Sequence, residues 1–295
     1  MINLSSCPVC ECSKFKPFLS CVDYTLSKER FQIVICDSCG FKFTNPRPPS
    51  DKLGDYYKSE EYISHSDTSK GVISKLYKIV RNYTLRKKVD LIGKYSRSGN
   101  LLDYGCGTGM FLSEAKRSTW NVFGIEPDNG ARSLASKNIN GEVYESIDTA
   151  KKFLPDVTFQ CITLWHVLEH VSSLNETLSW FHNILDKDGV LIVAVPNHKS
   201  YDAKKYGEFW AAYDVPRHLS HFEESTMINL LKRNGFEHVV SLPMKFDSFY
   251  VSMLSEKHKN GTVKYINAFC SGLISNLKAR KPSEYSSVIY VFRKS

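Results

Sequence analysis

With 295 residues, 42% hydrophobic and 24% charged, the chain can hold one large domain plus a small accessory module around a real core. No apolar run approaches the roughly 20 residues that span a bilayer, and the start, MINLSSCPVCECSKF, lacks the blocks of a signal peptide. An odd number of cysteines, nine, without an export signal points to metal ligands or buried hydrophobes in a reducing, cytoplasmic setting rather than to disulfides.

Residues 1–48 carry CPVC (7–10) and CDSC (36–39) with the strand-like FQIVIC between them. Two C-x-x-C pairs supply four thiolates from two turns, so Cys7, Cys10, Cys36 and Cys39 are expected to hold a structural Zn2+ in a closed tetrahedral site with no open position for catalysis. Cys12 and Cys21 are spare. NPRPP marks a stiff boundary. Residues 49–98 form a helical linker or lid in which apolar positions recur at three and four. Between Lys70 and Arg97 lie Lys70, Lys75, Lys78, Arg81, Arg86, Lys87, Lys88, Lys94 and Arg97, against Asp90 alone, within a net charge of +8 for the whole chain. Such a stretch suits a solvated helix face, or contact with nucleic acid, an anionic membrane surface or a phosphorylated substrate.

From residue 99 strands alternate with helices: NLLDYG, NVFGIEPD, GEVYESI, FQCITLW and GVLIVAVPN are strands, the last apolar enough to be buried on both faces. This rhythm implies an α/β Rossmann-like, doubly wound, largely parallel sheet across 99–243. A helical insert over 244–285 and a final strand, 286–295, complete the chain.

In LLDYGCGTGMFL a strand ends at Asp103, and Gly105, Gly107 and Gly109 precede a helix, with Cys106 inside the loop. Glycines there allow a sharp turn and close approach of a ligand at a helix N-terminus. Glu126, followed by Pro127, closes the second strand, where a carboxylate can accept ribose hydroxyls. Over roughly 99–242 the sequence resembles the class I S-adenosylmethionine-dependent methyltransferases. The resemblance implies a seven-stranded sheet with its last strand antiparallel. It implies that Asp103, Gly105, Cys106, Gly107 and Gly109 hold the methionine end of the cofactor and that Glu126 and Pro127 meet the ribose. Ser146 and Ile147 would flank the adenine, and the segment Leu164 to Val167, with Leu164 and His166 foremost, would line the pocket. A zinc-ribbon-like module ahead of such a domain is similar to small-molecule methyltransferases, sugar C-methyltransferases among them, and also to ribosomal-RNA guanine methyltransferases.

The long connection after the fifth strand holds Trp210, Tyr213, Asp214, Arg217, His218 and His221, the expected small-molecule acceptor side. An oxygen or carbon acid must lose a proton during methyl transfer. His218 is the expected base, His166 the second candidate and Tyr213 an orienting group. His166-x-x-Glu169-His170 has the look of a metal-peptidase helix, but Ser173 and Glu176 form an S-x-x-E capping box that starts the next helix beyond it. The trio therefore falls on a strand-to-helix turn, where Glu169 and His170 are expected to tie down the chain. Two other functions fit the composition: an RNA methyltransferase gripping through the zinc module and basic helix, and a non-catalytic cofactor-binding scaffold.

Overall fold

A computed structural model describes residues 1–57 and 72–295, together with the side chains outside 72–79. Lys70 and the middle of the expected linker lie outside the described residues, as do the side chains of Lys75 and Lys78. The N-terminal segment is built from β1 (Phe15–Val22), β2 (Arg30–Cys36) and β3 (Lys42–Thr44), followed by a 3-10 turn at Ser50–Tyr57. Helix α1 (Val72–Tyr95) leads into the sheet.

The main sheet uses β4 (Asn100–Tyr104), β5 (Asn121–Ile125), β6 (Val143–Tyr144), β7 (Phe159–Trp165), β8 (Leu185–Pro196), β10 (Phe236–Pro243) and β11 (Ser287–Lys294). Its order is β10-β11-β8-β7-β4-β5-β6, parallel from β8 to β6 and antiparallel where β11 meets β8 and β10. Between the strands run α2 (Met110–Arg117), α3 (Asn129–Ile139), α4 (Ile147–Phe153), α5 (Leu174–Ile184), α6 (Tyr201–Tyr206) and α7 (Glu224–Arg233). Residues Val190 to Val195 of β8 are fully buried, as a central strand covered on both faces requires. Strand order reverses between β4 and β7, so the loops leaving their carboxyl ends define the ligand crevice.

The N-terminal segment is stitched into the body. β9 (Ser220–His221), from the long connection, pairs antiparallel with β3 (Lys42 opposite His221, Phe43 opposite Ser220), giving a second sheet of order β1-β2-β3-β9. Phe41 and Phe43 are wholly buried and share one core with Leu164, Phe222 and Met227. Each contributes roughly 1.5–3 kcal/mol on burial. The connection itself is ordered into α6, 3-10 turns at Gly207–Phe209 and Ala211–Tyr213, and β9. Near the C-terminus α8 (Asp247–Asn260) and α9 (Tyr265–Lys278) form a helical hairpin turned by Gly261, whose φ is 74°.

Capping differs from the sequence expectation at α5. Ser173 stands at its N-cap with no side-chain hydrogen bond, so the S-x-x-E box does not close. A reciprocal contact forms instead at α7, where Glu223 N–H donates to Thr226 Oγ1 at 3.3 Å.

Candidate active site

All three loop glycines have left-handed backbone, φ 74° at Gly105, 54° at Gly107 and 74° at Gly109. Their surroundings separate their roles. A Cβ at Gly105 would lie 2.5 Å from Val167, and one at Gly109 2.9 Å from Ala135, so these two permit the β7 turn and helix α3 to pack. A Cβ at Gly107 would meet nothing within 4 Å. Gly107 is the part of the loop that faces open space, at the N-terminal end of α2, where negative charge is favoured. The Glu126 carboxylate closes this cradle, accepting N–H bonds from Gly107 (2.8 Å) and Asp128 (2.9 Å), while burial pushes its pKa up. These features fit a ligand with a ribose and a charged amino-acid end.

Asp103 lies beneath the loop, buried, accepting a 2.7 Å hydrogen bond from Thr163 Oγ1. Burial pushes it up to about 7, against the pull of Thr163 and Lys88. Lys88, from the basic helix, has turned inward, with Nζ 4.3 Å from the Trp165 ring centroid. Arg86 and Lys87 reach Glu114 (3.6 Å) and Asp90 (3.7 Å), so this part of the stretch is not a uniform cationic face.

Other sequence-predicted cofactor residues are corrected in detail. Cys106 points its thiol into the sheet toward Gly124 and offers the cradle only backbone. Of the expected pocket-lining segment Leu164 to Val167, Leu164 is fully buried in the core because alternate strand residues face opposite sides, whereas Trp165 and Val167 are half-buried. Ser146 caps α4 by accepting from Thr149 N–H (3.2 Å), with Ile147 packed against the core. Pro127 is exposed beside Glu126.

At the end of β7 the expected turn is present, and Leu168–His170 is a single 3-10 turn rather than a peptidase helix. His166 adopts φ 59°, a strained conformation for a residue with a Cβ. Its Nε2 lies 2.9 Å from Asp247 Oδ2 and its Nδ1 3.5 Å from Glu169 Oε1. Burial alone lowers its pKa, but the two carboxylates override that and raise it to about 10. At neutral pH His166 is therefore an imidazolium held between two acids, which corrects its expected role as a base. An NMR titration should find this ring charged well above pH 7, and Asp247→Asn should move its midpoint down. Because the folded pKa exceeds the unfolded one, the stability it contributes is complete below about pH 6.5 and is lost as pH rises through the folded value.

Glu169, which the sequence reading assigned to tying down the turn, does so through its backbone: Leu219 N–H donates to its carbonyl at 2.8 Å. Its side chain is 1% exposed, with Oε1 facing His166 Nδ1 at 3.5 Å and neither oxygen in a close hydrogen bond. Despite burial, His166, His218 and His170 hold its pKa down. Glu169, His170 and His218 offer donor atoms all within 4.8 Å of one another. The His170 ring Nδ1 lies 2.8 Å from Tyr57 Oη and 3.0 Å from the Arg217 carbonyl, and burial and the neighbouring His218 lower it to about 4. The structure thus groups Glu169 with His170 and His218, one of them from the acceptor loop.

His218 is buried, with Nδ1 2.9 Å from the Ala212 carbonyl. A carbonyl only accepts, so Nδ1 carries the proton and Nε2 keeps its lone pair in the neutral ring. Nε2 lies 4.0 Å from Asp214 Oδ2.

The remaining acceptor-side expectations become a supporting wall. Trp210 is buried and donates Nε1–H to Asp202 (2.7 Å). Tyr213, buried, packs edge-on against Trp210 and His221, and His221 Nε2 lies 3.0 Å from Thr44 Oγ1. Arg217 is 1% exposed and directs its donors to Asp214, Asp23 and the Tyr56 carbonyl, so it joins the N-terminal segment to the loop rather than reaching an acceptor. Arg217→Met would leave the buried Asp23 and the half-buried Asp214 without their cation. Urea denaturation should show a loss of about 3–5 kcal/mol.

In the N-terminal segment Cys7 and Cys39 sulfurs lie 3.6 Å apart and those of Cys10 and Cys36 3.5 Å apart, all four within 4.8 Å. A tetrahedral ion with bonds of about 2.3 Å needs sulfur separations of about 3.8 Å. Each C-x-x-C is followed by a left-handed residue, Glu11 (φ 61°) or Gly40 (φ 70°), so the two turns match. Cys12 stays local, bonding with Lys14, and Cys21 is core.

Asp247 and Lys88 were missed as site residues. No local motif marks Asp247 or Lys88, which reach the crevice from α8 and α1.

A family model described as a methyltransferase domain matches residues 77–242. An uncharacterized methyltransferase of Anoxybacillus flavithermus is 27% identical over 113 residues, 36% of this chain and 53% of that protein. One of Bacillus pumilus is 25% identical over 137 residues, 44% of this chain and 61% of that protein. The chain thus spans between half and two thirds of these curated relatives. Among solved structures, a SAM-dependent methyltransferase of Archaeoglobus fulgidus matches with TM-score 0.50 at 18% identity, covering 72% of this chain and 94% of that one. Magnesium protoporphyrin IX methyltransferase of Synechocystis with bound SAH matches with TM-score 0.54 at 14% identity, covering 84% of this chain and 100% of that one. At these identities the structures establish fold. With the family match spanning more than half of its length, this chain belongs to the methyltransferase-domain family and has the class I S-adenosylmethionine-dependent architecture.

Proposed function

We propose that this protein transfers the methyl group of S-adenosylmethionine to an oxygen or carbon of a small molecule, with His218 as general base and a structural zinc in the N-terminal segment. The observation that carries this is the single β7 turn in which Val167 packs on Gly105 of the cradle while Glu169 reaches His218. Cofactor loop and base are thereby held on one short element. S-adenosylmethionine supplies an electrophilic methyl on a sulfonium, so the first demand on the chain is positioning.

Gly107 and Glu126 would hold the cofactor's ribose and amino-acid portions, with Asp103 beneath. His218 Nε2 accepts the acceptor's proton, while its Nδ1–H stays on the Ala212 carbonyl. Asp214 and Glu169 lie beside the imidazolium that results. A sugar nucleotide, glycan precursor or secondary metabolite would suit this reading. The four cysteines favour zinc through their spacing and matched turns. The test is incubation with methyl-labelled cofactor and fractionated metabolite pools, with RNA as a parallel arm. Label in a small-molecule fraction is expected. Label in RNA alone would assign the alternative, and no label anywhere with retained cofactor binding would assign a scaffold.

A further inference from the structure

A helix at a protein surface normally turns its large apolar side chains inward. Helix α9 does the reverse. The face it packs against the body is made of Ala268, Ser271, Gly272 and Ser275, all buried. Gly272 brings it so near α8 that a Cβ there would lie 2.8 Å from the Phe249 ring. The opposite face carries Tyr265, Phe269, Leu273 and Leu277 at four-residue spacing, with Ile266 beside them. Ile266 is 80% exposed and Leu277 74%. Phe246, also exposed, stands at the adjoining start of α8, where Asn276 Nδ2 donates to the Lys245 carbonyl at 2.8 Å. A contiguous apolar stripe of this kind marks an interaction surface.

The chain around it is predominantly basic. Lys259, Lys264, Lys278, Arg280 and Lys281 are exposed along or next to the stripe, and no acidic residue occurs between Glu256 and Glu284. Two copies meeting face to face would bring two cationic rims together. A surface of anionic lipid headgroups complements both the apolar stripe and the rim, and lysine stems can lie along the apolar part with their ammonium groups at the headgroups. At 14 residues α9 is about 21 Å long, too short to cross a bilayer but suited to lying in its interface. No described helix is long and apolar enough to span a membrane.

We propose that α9 seats this protein on anionic membrane surfaces, its Tyr265–Phe269–Leu273–Leu277 stripe entering the interface and the basic rim meeting lipid headgroups. The inference does not rest on the assigned acceptor. Helix α8, on which α9 packs, begins at Asp247, the partner of His166, so the docked face and the candidate site share one element.

The test is co-sedimentation of the full chain with vesicles of phosphatidylcholine containing about one third phosphatidylglycerol, against phosphatidylcholine alone. Binding to the anionic vesicles is expected, weaker by about tenfold or more without the anionic lipid. Ile266→Asp with Leu277→Asp should abolish it while thermal unfolding and S-adenosylhomocysteine binding stay unchanged, since both side chains are largely exposed. Lys264→Glu with Lys281→Glu should weaken it by about tenfold or more with the stripe intact. Wild-type protein remaining in the supernatant would overturn the proposal. So would a dimer in sedimentation velocity that the double aspartate variant converts to monomer without any vesicle binding, which would assign the stripe to a second copy.

Discussion

His218→Ala should lower turnover by about 10²–10⁴-fold, the range for removing a positioned general base, with S-adenosylhomocysteine affinity unchanged. The ring sits in the acceptor loop, not in the glycine cradle, so its loss removes proton transfer and leaves cofactor binding intact. Its Nδ1–H is fixed by the Ala212 carbonyl and its Nε2 faces Asp214. Added imidazole should restore part of the lost rate, a result that a purely structural role would not give. His218→Gln, which keeps much of the packing volume but supplies no base, should be as slow as the alanine variant. If the glutamine variant turns over normally on the acceptor found by the labelling screen, proton removal does not occur at His218.

Loss of the zinc proposed for the four N-terminal cysteines is expected to have the largest effect on stability. Structural zinc in small thiolate and imidazole sites contributes roughly 10–16 kcal/mol to the folding of the segment that binds it. Here the effect should reach the acceptor loop. Thr44 in β3 donates Oγ1–H to the His218 carbonyl at 2.8 Å and its N–H to the Leu219 carbonyl at 3.0 Å. Chelation, or Cys36→Ser, should therefore loosen β3 from β9, lower the Tm and reduce turnover, although the sulfurs take no part in the reaction. Elemental analysis should find about one zinc per chain in wild type, absent from Cys36→Ser. A metal-free chain with unchanged Tm and activity would remove zinc from the structural account.

The parts of the fold legible from sequence were those whose signals are local. Strand rhythm, the triple glycine and the acid after β5 each depend on residues near one another, and the largely parallel character of the sheet followed from them; the strand order did not. The two C-x-x-C pairs were equally local. Side-chain destinations were harder to read, because they depend on which elements meet. Leu164 differs from Trp165 only in strand parity, and a one-residue difference turns a side chain from crevice to core. Arg217 reads as an acceptor-binding cation until Asp23, nearly two hundred residues earlier, is placed beside it. His166 reads as a base until Asp247 arrives from α8. The basic stretch lost its uniformity because Lys88 turns inward to Trp165. In each case the missing knowledge was a long-range contact that changes the charge or accessibility of a correctly noticed residue.

The central claim, that the Gly107–Glu126 cradle is a cofactor site, is tested most directly by calorimetry with S-adenosylhomocysteine. Wild-type protein should bind with one site per chain, and Glu126→Ala should weaken binding by at least about tenfold through lost hydrogen bonds to the ribose. Heat of binding that is absent from the wild type, or identical in Glu126→Ala, would contradict it.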